Sequence, residues 1–462
     1  MILVSLMLGL GGCAVAGVGD PGDSVQPGGG AIPVQDSGEA MSAEEMTGPL
    51  SLKQCIDAAL ANNPELLAGR DELDFFLAQR DIAAANHWPK LDVVGGYSDY
   101  LDPVRLAPAQ YNGELGSFGR HSLGSDLVLS VSLFAGGQIS NDIKAAGLQQ
   151  EAAERRLARK TQELVFYVSR AFYGILAQEQ MVKSLDFSRN AMLEHRNQVE
   201  QLLSAGKAAK VDLMRVEVRL ADLEQKVLSA RNVLRVQHCA LAKLVGRPAD
   251  QLPTELEGEL SSTETEISPE ESLLKAYESR SDYLAEQFTV KAQAARVEVA
   301  RGAFWPSLSL QASYGGRWLL DPTEVPPGGE QCEDVGQVAL SMKVPVFRGG
   351  ELSSRLAGER AKLAAAQQRL REIRLRVRQE VETAVLNMDS AGERMRVMRK
   401  AIEQAEESLR IERERYRLSK GSVTDVLDAQ AELLDAQTSY FGALVDCNVS
   451  IAQLRLAIGE EP

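Results

Sequence analysis

Four segments of the chain alternate apolar and polar residues at every second position. The clearest is 127–133, where leucine and valine alternate with Ser130 and Ser132; segments 308–314 and 338–346 repeat the pattern, and 91–97 follows it more weakly. Period two predicts β-strands with one apolar and one polar face. The apolar positions are Leu91, Val93, Gly95, Tyr97, Leu127, Leu129, Val131, Leu133, Leu308, Leu310, Ala312, Tyr314, Val338, Leu340, Met342, Val344 and Val346.

Most of the remaining chain has the three-and-four spacing of apolar residues that is typical of α-helices. Two runs, Gln138–Ala205 and Glu351–Ser419, contain no proline, so each can form one helix about 100 Å long. The second run has the spacing of a coiled-coil seam with one stutter at Val377–Val381, which predicts local unwinding. Partner helices are predicted over Val211–Val245 and Asp425–Ile458.

The same order of elements occurs twice along the chain. Each half has two short helices, a Trp-Pro-x-Leu element, a strand pair, a Phe-x-Gly-Gly sequence and long helices that end at a glycine. This self-similarity predicts two copies of one supersecondary unit. The short helices are predicted over Leu50–Asn62, Glu65–His87, Ser268–Ser279 and Ser281–Phe304. The predicted domains are a first repeat at 48–246 with strands at about 89–134, a linker at 247–267, a second repeat at 268–459 with strands at about 306–347, and a tail at 460–462.

Two-faced strands fit either a soluble sandwich, whose apolar face packs on a second sheet, or an outer-membrane barrel, whose apolar face contacts lipid. The strands reach roughly ten residues, which is the length of a tilted membrane strand. Aromatic residues stand at the helix-side ends of all four strands, where a membrane-interface girdle belongs. They are Trp88, Trp305, Phe134 and Phe347. Together these signs favour the barrel.

Four strands cannot close a barrel by themselves. About eight strands form the smallest barrel, and an open edge in lipid leaves unpaired backbone groups that cost on the order of several kcal/mol each. The chain is therefore expected to pool its strands with copies of itself. A dimer supplies eight strands and a trimer twelve, and eight strands leave an interior filled by side chains. A solid coiled-coil rod would explain the helices but not the strands joined to them.

Composition excludes several functions. The 462 residues carry a net charge of −15, and basic residues alternate with acidic ones instead of forming a patch, so nucleic-acid binding is not expected. The four histidines have no HExxH spacing, and neither GxSxG nor a phosphate-binding Gly-rich loop occurs. The five cysteines contain no CxxC pair. The sequence therefore predicts no catalytic residues, no metal site and no cofactor.

The amino-terminal residues have the pattern of a bacterial lipoprotein signal. A short uncharged apolar run leads to Leu10-Gly11-Gly12-Cys13, which reads as a lipobox. This predicts a signal over 1–13 with a lipid anchor on Cys13, followed by a Gly- and Pro-rich periplasmic tether over 14–47. An ordinary signal peptide and a transmembrane helix are the alternatives, although the glycine content and short length disfavour a helix.

From Leu50 to Gly459 the chain resembles the TolC-like outer-membrane efflux channel family. The resemblance rests on the duplicated helix–strand–strand–helix unit, Asn63-Pro64-Glu65-Leu66, the Phe-x-Gly-Gly strand ends and Tyr416–Gln430, with Asp425-Val426-Leu427-Asp428-Ala429 as the sharpest short match. It implies a mixed α/β membrane protein with two repeats. Long coiled-coil helices would form a periplasmic α-barrel, and four antiparallel strands per chain would join a trimeric 12-stranded transmembrane β-barrel.

The resemblance also implies a gate at the periplasmic tip of the helices. Asp425 and Asp428 match two aspartates that form acidic rings at the closed entrance. Tyr416 and Asp212 match the partners of a polar latch between the inner and outer hairpins. The basic latch residue has no counterpart, because glycine occupies its position, and Lys420 is the neighbouring candidate.

The expected function is a passive exit duct in the outer membrane, with the chain lipid-anchored and extending into the periplasm. The duct would pass small toxic compounds or metal ions delivered by an inner-membrane pump of the RND or ABC type through a periplasmic adaptor, or membrane fusion protein. The expected partners are thus two further copies of the chain, the adaptor, the pump and outer-membrane lipid, without nucleic acid. A type I protein secretion channel and, less in keeping with the strands, a periplasmic adaptor or scaffold are the alternatives.

Overall fold

The computed structural model describes residues 48–107, 116–251, 253, 255–258, 260, 268–320, 322–324, 331–418 and 420–460. The helices are α1 (Leu52–Asn62), α2 (Pro64–Ala85), α3 (Gln138–Ser204), α4 (Lys210–Val245), α5 (Pro269–Ser279), α6 (Ser281–Gly302), α7 (Glu351–Arg417) and α8 (Val423–Ile458). The strands are β1 (Leu50–Ser51), β2 (Lys90–Arg105), β3 (Phe118–Phe134), β4 (Leu256–Glu257), β5 (Ser307–Leu319), β6 (Pro322–Glu324) and β7 (Cys332–Lys343). The predicted combination of long helices and antiparallel strands is confirmed.

The two halves of the chain contain helices of equal length in the same order. The short helices have 11 residues in α1 and α5 and 22 in α2 and α6. The long helices have 67 residues in α3 and α7 and 36 in α4 and α8. The chain divides into a strand unit, residues 77–147 and 291–364, and a helical unit that contains the other described residues.

Several predicted element boundaries differ from the structure by one to three residues. Helices α2 and α6 end before His87 and Phe304, because the residues that precede a proline are disfavoured in helical geometry and form turns here. Strand β7 ends at Lys343, so the expectation that Val344 and Val346 continue it is wrong. The partner strand β5 begins at Ser307, the Cα partner of Lys343, and has no residue left to pair beyond that point.

The long strands pair in the order β2-β3-β5-β7, and all three pairings are antiparallel. Their register aligns the predicted faces across the sheet. One row contains Leu91, Leu129, Ala312 and Val338, and the next row, on the opposite face, contains Lys90, Ser130, Gln311 and Ala339. Pairing of apolar with apolar and polar with polar positions therefore gives a two-faced sheet.

The sheet is open in a single chain. Among the described strands β2 and β7 each pair along one side only, which leaves the other side of each without a ladder partner. Most β2 side chains are exposed, and so are apolar residues of β7 such as Val338 and Leu340. An open sheet with an exposed apolar face is incomplete as a water-soluble unit.

The helical unit has its core along the seams that the sequence predicts. Val377 and Val381, on either side of the stutter, are fully buried together with Ala384 and with Leu454 and Ile458 of α8. In the first half the corresponding buried residues are Val168, Phe172 and Ile175 of α3, Leu241 and Val245 of α4, and Ala58 and Ala59 of α1. By length and composition α8 could cross a bilayer, but 44% of its most apolar stretch is buried inside the helical unit, as in a core helix.

The ends of α4 and α8 lie against the joints between the short helices. Gly246 and Gly459 terminate these helices in the left-handed region, with φ of +77° and +75°. A Cβ at Gly246 would lie 2.2 Å from the Asn62 carbonyl oxygen, and one at Gly459 would lie 2.7 Å from the Arg280 Cα. Glycine is required at both positions because of the positive φ and the close backbone approach.

Candidate functional site: the hairpin end and the two faces of the sheet

Helices α3 and α4 form a first helical hairpin, and α7 and α8 form a second. In the first turn Gly206, at φ +70°, lets the chain reverse, and the Lys207 N–H donates to the Leu202 carbonyl over 2.8 Å. In the second turn the Lys420 N–H donates to the Arg415 carbonyl, also over 2.8 Å. These bonds satisfy carbonyls at the ends of α3 and α7. We call residues 195–216 and 413–430, which surround the two turns, the hairpin end.

Asp212 and Asp425 occupy the same place in the two hairpins, the third residues of α4 and α8. The Ala209 N–H donates to Asp212 Oδ2 over 3.3 Å, and the Ser422 N–H donates to Asp425 Oδ2 over 3.0 Å. The Ser422 Oγ in turn accepts a bond from the Thr424 N–H over 3.1 Å. Asp425 thus closes a capping box, and its negative charge also suits the amino-terminal end of a helix.

Asp425 and Asp428 lie on one exposed side of α8. Both carboxylates are exposed, while Val426 and Leu427 between them are buried. The spacing of three residues places the two aspartates next to each other on the helix surface. The structure therefore brings together the two acidic residues that the sequence singles out.

A groove of about 820 Å³ runs between α4 and α8 beside Asp428. Its walls combine exposed apolar side chains of α4, among them Met214 and Val218, with the basic residues Arg215 and Arg219. This side of the hairpin end therefore presents positive charge from α4 next to negative charge from α8.

Tyr416 lies half-buried at the end of α7 and packs against the apolar cluster that α3, α4 and α8 share. Burial raises the pKa of the Tyr416 hydroxyl, and the nearby charge of Asp212 raises it further. The structure thus places the two predicted latch residues close together. Among the hydrogen bonds of the described residues none joins Tyr416 to Asp212, whose carboxylate accepts the Ala209 N–H and lies 3.9 Å from the Arg215 guanidinium.

At the hairpin end, Arg215 makes a contact between the two hairpins. Arg215 Nη1 donates to the Thr424 hydroxyl over 3.4 Å, which links α4 to α8. The Lys420 side chain is exposed, and none of the described carboxylates forms an ion pair with it. Sequence reasoning missed Arg215. The repeated order of elements could have identified it, because Arg215 in the first half of the chain stands at the position of Asp428 in the second half.

The polar face of the sheet contains an ion pair that the sequence analysis also missed. Arg317 donates two hydrogen bonds to Asp126, from Nη1 over 2.8 Å and from Nη2 over 2.7 Å. Gly124 leaves space for the guanidinium, which would lie 3.1 Å from a Cβ at that position. Glu333 is the Cα partner of Arg317 on β7, so one row of the polar face carries charges of both signs.

The aromatic residues at the helix-side ends of the strands are exposed. The exposed fractions are 72% for Trp88, 61% for Trp305, 48% for Phe134 and 87% for Phe347. Trp88 borders a cavity of about 500 Å³ together with Lys90 and Ser130 of the polar face. The position of all four rings at a membrane interface stays a prediction.

Aromatic and polar residues also gather at the opposite end of the apolar face. The hydroxyl of Tyr97 is 2.9 Å from Nδ1 of His121, and the Tyr314 hydroxyl donates to Asp334 over 3.0 Å. Trp318 stands ten residues from Leu308 along β5, which at the rise and tilt of a membrane strand corresponds to about 25 Å. The apolar band between the two ends therefore has the height expected of the outer surface of a membrane barrel.

Two further predictions concern metal binding and the cysteines. Within the described ranges no group of three or more His, Cys, Asp or Glu side chains could hold a metal ion. None of the cysteines in these ranges, Cys55, Cys239, Cys332 and Cys447, forms a disulfide. Cys13, the predicted lipid anchor, lies outside the described residues.

The sequence profile of the outer membrane efflux protein family matches residues 55–247 and 273–460. The chain belongs to this family. Its members are outer-membrane efflux channels, so the prediction of a TolC-like exit duct in the outer membrane is confirmed. The matched ranges together include both helical hairpins and all four long strands.

Individual relatives are similar over nearly the whole family region. A toluene efflux pump outer membrane protein, TtgC of Pseudomonas putida, is 24% identical over 432 residues, covering 88% of this chain and 83% of the relative. The cobalt-zinc-cadmium resistance protein CzcC of Cupriavidus metallidurans is 23% identical over 417 residues, covering 90% and 92%. The crystal structure of the Campylobacter jejuni CmeC outer membrane channel superposes with a TM-score of 0.77 at 18% identity, covering 96% and 94%.

Proposed function

We propose that three copies of this efflux protein pool their strands into one 12-stranded transmembrane β-barrel, with the helices forming a periplasmic α-barrel. The open sheet of four long strands carries this proposal, because β2 and β7 each lack a partner along one side among the described strands. In lipid an unpaired strand edge is not tolerated, and strands of neighbouring copies can satisfy both edges. Twelve strands leave a central opening, whereas eight would be filled by side chains.

The pooled barrel places the apolar face toward lipid and the polar face toward the pore. This orientation is supported by the segregated rows of the sheet and by the aromatic residues at both ends of the apolar band. The matched helix lengths of the two halves support an internal duplication. Each chain would then supply two pairs of strands and two helical hairpins to a pseudo-sixfold wall.

We propose that the duct receives small toxic organic compounds or metal ions from an inner-membrane pump of the RND or ABC type through a periplasmic adaptor. Relatives described as a toluene efflux protein and as a cobalt-zinc-cadmium resistance protein support these two substrate classes. The hairpin end would be the entrance that the adaptor opens, with population of the open state following adaptor binding. A type I protein secretion channel is the second candidate, because the same pore would serve it.

The entrance would be lined by Asp425 and Asp428 of three copies. Threefold symmetry brings six carboxylates around one axis, where they attract cations and repel anions. Replacing both residues by Asn should therefore reduce the preference of the channel for cations and weaken its block by multivalent cations. The measurement is the reversal potential of purified trimers in planar bilayers under a salt gradient.

Asp435→Asn is the matched control, since Asp435 is an exposed aspartate of the same helix about two turns beyond Asp428. It should leave the selectivity unchanged. Equal cation preference in the wild type and in the Asp425→Asn/Asp428→Asn variant would contradict the acidic entrance. A purified protein that forms no heat-modifiable trimers would contradict the pooled barrel.

We also propose that Cys13 carries a lipid that anchors each chain to the outer membrane. The proposal rests on the Leu10–Cys13 lipobox and on the Gly- and Pro-rich tether that follows it. Cells grown with labelled palmitate should label the wild type and not Cys13→Ser, as measured on the immunoprecipitated protein. Equal labelling of Cys13→Ser would exclude this anchor. The variant should still form trimers, because the barrel holds the protein in the membrane.

A further inference from the structure

A buried histidine lies in the hairpin end without a full set of hydrogen bonds. His195 of α3 is 9% exposed, and its Nε2 is buried with no hydrogen-bond partner among the described residues. Met192 and Val199, about one turn before and after it, are completely buried. A polar ring atom buried without a partner is unusual and costs free energy, so its position calls for a physical explanation.

The imidazole contacts one aromatic ring and is influenced by one like charge and one amide. The Tyr416 ring of α7 meets it edge to face, with 5.5 Å between the ring centroids. Arg413, on the same helix, acts on the imidazole as a like charge, and Gln198 of α3 provides a side-chain hydrogen bond. Burial lowers the pKa of His195 most, Arg413 lowers it further, and Gln198 opposes both.

The groups that shift the pKa of His195 include no carboxylate. From α4 and α8 the cluster around Met192 and Val199 receives Val216, Val423 and Leu427. Three acidic residues lie at or beside the hairpin end. Asp212 accepts the Ala209 N–H, and Asp425 accepts the Ser422 N–H. Glu412 of α7 pairs through Oε1 with Arg415 over 2.7 Å, while its buried Oε2 has no hydrogen-bond partner among the described residues. A proton on His195 would therefore place an uncompensated charge among packed side chains.

We propose that His195 is a pH-sensitive element of the gate, whose protonation separates α3 from Tyr416 and opens the hairpin end. The neutral imidazole fits the closed packing, whereas the charged imidazole is stable only when water reaches it. Tyr416 is the predicted latch residue, so loss of the His195–Tyr416 contact also weakens the contact between the hairpins. This inference rests on the proposed closure of the entrance by the hairpin end.

The sign of the pH effect follows from linkage. A histidine whose pKa is lowered in the closed state stabilises that state above its ordinary pKa of 6.5, and the stabilisation is lost as the pH falls through the lowered value. At about pH 5.5 the open state can gain at most about tenfold in population for each chain. Acidification of the periplasm would therefore open the duct without any change in the adaptor.

Channel conductance at two pH values tests the proposal. Purified full-length trimers in planar bilayers should show at least a severalfold higher open probability at pH 5.5 than at pH 7.5. His195→Gln, which keeps a polar side chain without a proton-binding site, should abolish most of this increase. His195→Phe, which places an apolar ring against Tyr416, should also abolish most of the increase. It serves as the second variant if His195→Gln folds poorly.

His238→Gln is the matched control. Burial also lowers the pKa of His238, but this residue lies toward the carboxyl-terminal end of α4, far along the helix from the turn. It should keep the acid response. The Asp425→Asn/Asp428→Asn variant should also keep it, which separates titration of the histidine from titration of the acidic entrance. An acid response that persists unchanged in His195→Gln and His195→Phe overturns the proposal.

Hydrogen exchange measured by mass spectrometry separates this inference from the proposed entrance. After correction for the intrinsic pH dependence of exchange, peptides covering 192–209 and 413–430 should exchange faster at pH 5.5 in the wild type but not in His195→Gln. If exchange responds while conductance does not, His195 is pH-sensitive but the hairpin end is not the gate. If exchange in the wild type does not respond to pH, the role of His195 is wrong.

Discussion

At the scale of single residues, one position is used differently in the two halves of the chain. It lies at the joint between the two short helices, next to the end of α4 in the first half and of α8 in the second. In the first half the Asn63 side chain donates to the Leu244 carbonyl over 2.8 Å. In the second half Arg280 occupies this place, is 1% exposed and donates to the Ala457 carbonyl over 3.3 Å. Its guanidinium also pairs with Asp282 and Glu380. A neutral amide in one copy is thus replaced by a buried charge network in the other.

Removing Arg280 should destabilise the helical unit strongly. Arg280→Met leaves Asp282 and Glu380 without their partner, and breaking a buried pair in this way costs about 3 kcal/mol. Denaturant unfolding followed by helical circular dichroism measures the change. Arg378→Met is the control, because the Arg378–Glu382 pair is exposed on the surface of α7 and should contribute little. An equal loss in both variants would contradict a special role for the buried network.

The loss of stability in Arg280→Met should depend on pH in a defined direction. Burial alone would raise the pKa of Asp282, but its hydrogen bond to Arg280 and the positive charge of Arg280 outweigh this and hold the pKa below the usual 3.8. The pair therefore stabilises the fold above that ordinary value, and the stabilisation disappears as the pH falls through the lowered pKa. The difference between wild type and Arg280→Met should accordingly shrink in strong acid.

At the scale of elements, periodicity predicted every long helix and strand, and the differences lie at their ends. Runs without proline and with a continuous apolar seam leave little choice other than a long helix, so α3 and α7 were predictable. The positions at which helices and strands begin and end depend instead on pairing and capping contacts. Strand β7 ends where β5 has no further residue to pair, and α8 begins where the Ser422–Asp425 capping box forms.

The contacts between the hairpins should hold the entrance closed. Tyr416→Phe combined with Asp212→Ala tests the predicted polar latch, whose two residues share no direct hydrogen bond among the described residues. Arg215→Ala removes the hydrogen bond to Thr424. Loss of a contact worth about 1 kcal/mol should shift the equilibrium about fivefold toward the open state. Single-channel conductance in planar bilayers is the measurement.

Arg219→Ala is the control for Arg215, because Arg219 pairs with Asp222 of its own helix. It should leave the open probability unchanged. Unchanged conductance of the Tyr416→Phe/Asp212→Ala variant would exclude the polar latch. Unchanged conductance of Arg215→Ala would exclude the contact to Thr424 as part of it.

At the scale of the whole molecule, the sheet gives the physical reason for the proposed assembly of several copies. Four strands with two free edges and an exposed apolar face cannot form a closed unit in water or in lipid. The helices support the same proposal, since large apolar side chains such as Phe187, Leu228 and Leu386 are exposed on a single chain. Assembly into the proposed trimer would pair the free strand edges and cover the exposed apolar faces of sheet and helices.

The two faces of the sheet should respond oppositely to a new charge. Leu129→Lys places an ammonium on the apolar face near the middle of the band, at a cost of about 2–4 kcal/mol in lipid. Ser130→Lys places it on the polar face, which already carries Arg317 and Asp126. The amount of heat-modifiable trimer in outer-membrane fractions should fall sharply for Leu129→Lys only. Equal losses would contradict the lipid-facing assignment.

The sequence by itself determined the two-faced strands and the long seamed helices, because each of these is a local pattern of spacing along one element. It also predicted the repeated order of elements and singled out two aspartates that lie together on α8. The tertiary structure decided which side chains from distant elements meet. Arg215 reaches Thr424, Arg317 reaches Asp126, and His195 meets Tyr416 without a partner for its buried nitrogen. These contacts depend on register and helix packing, which no single segment encodes, so periodicity could not predict them.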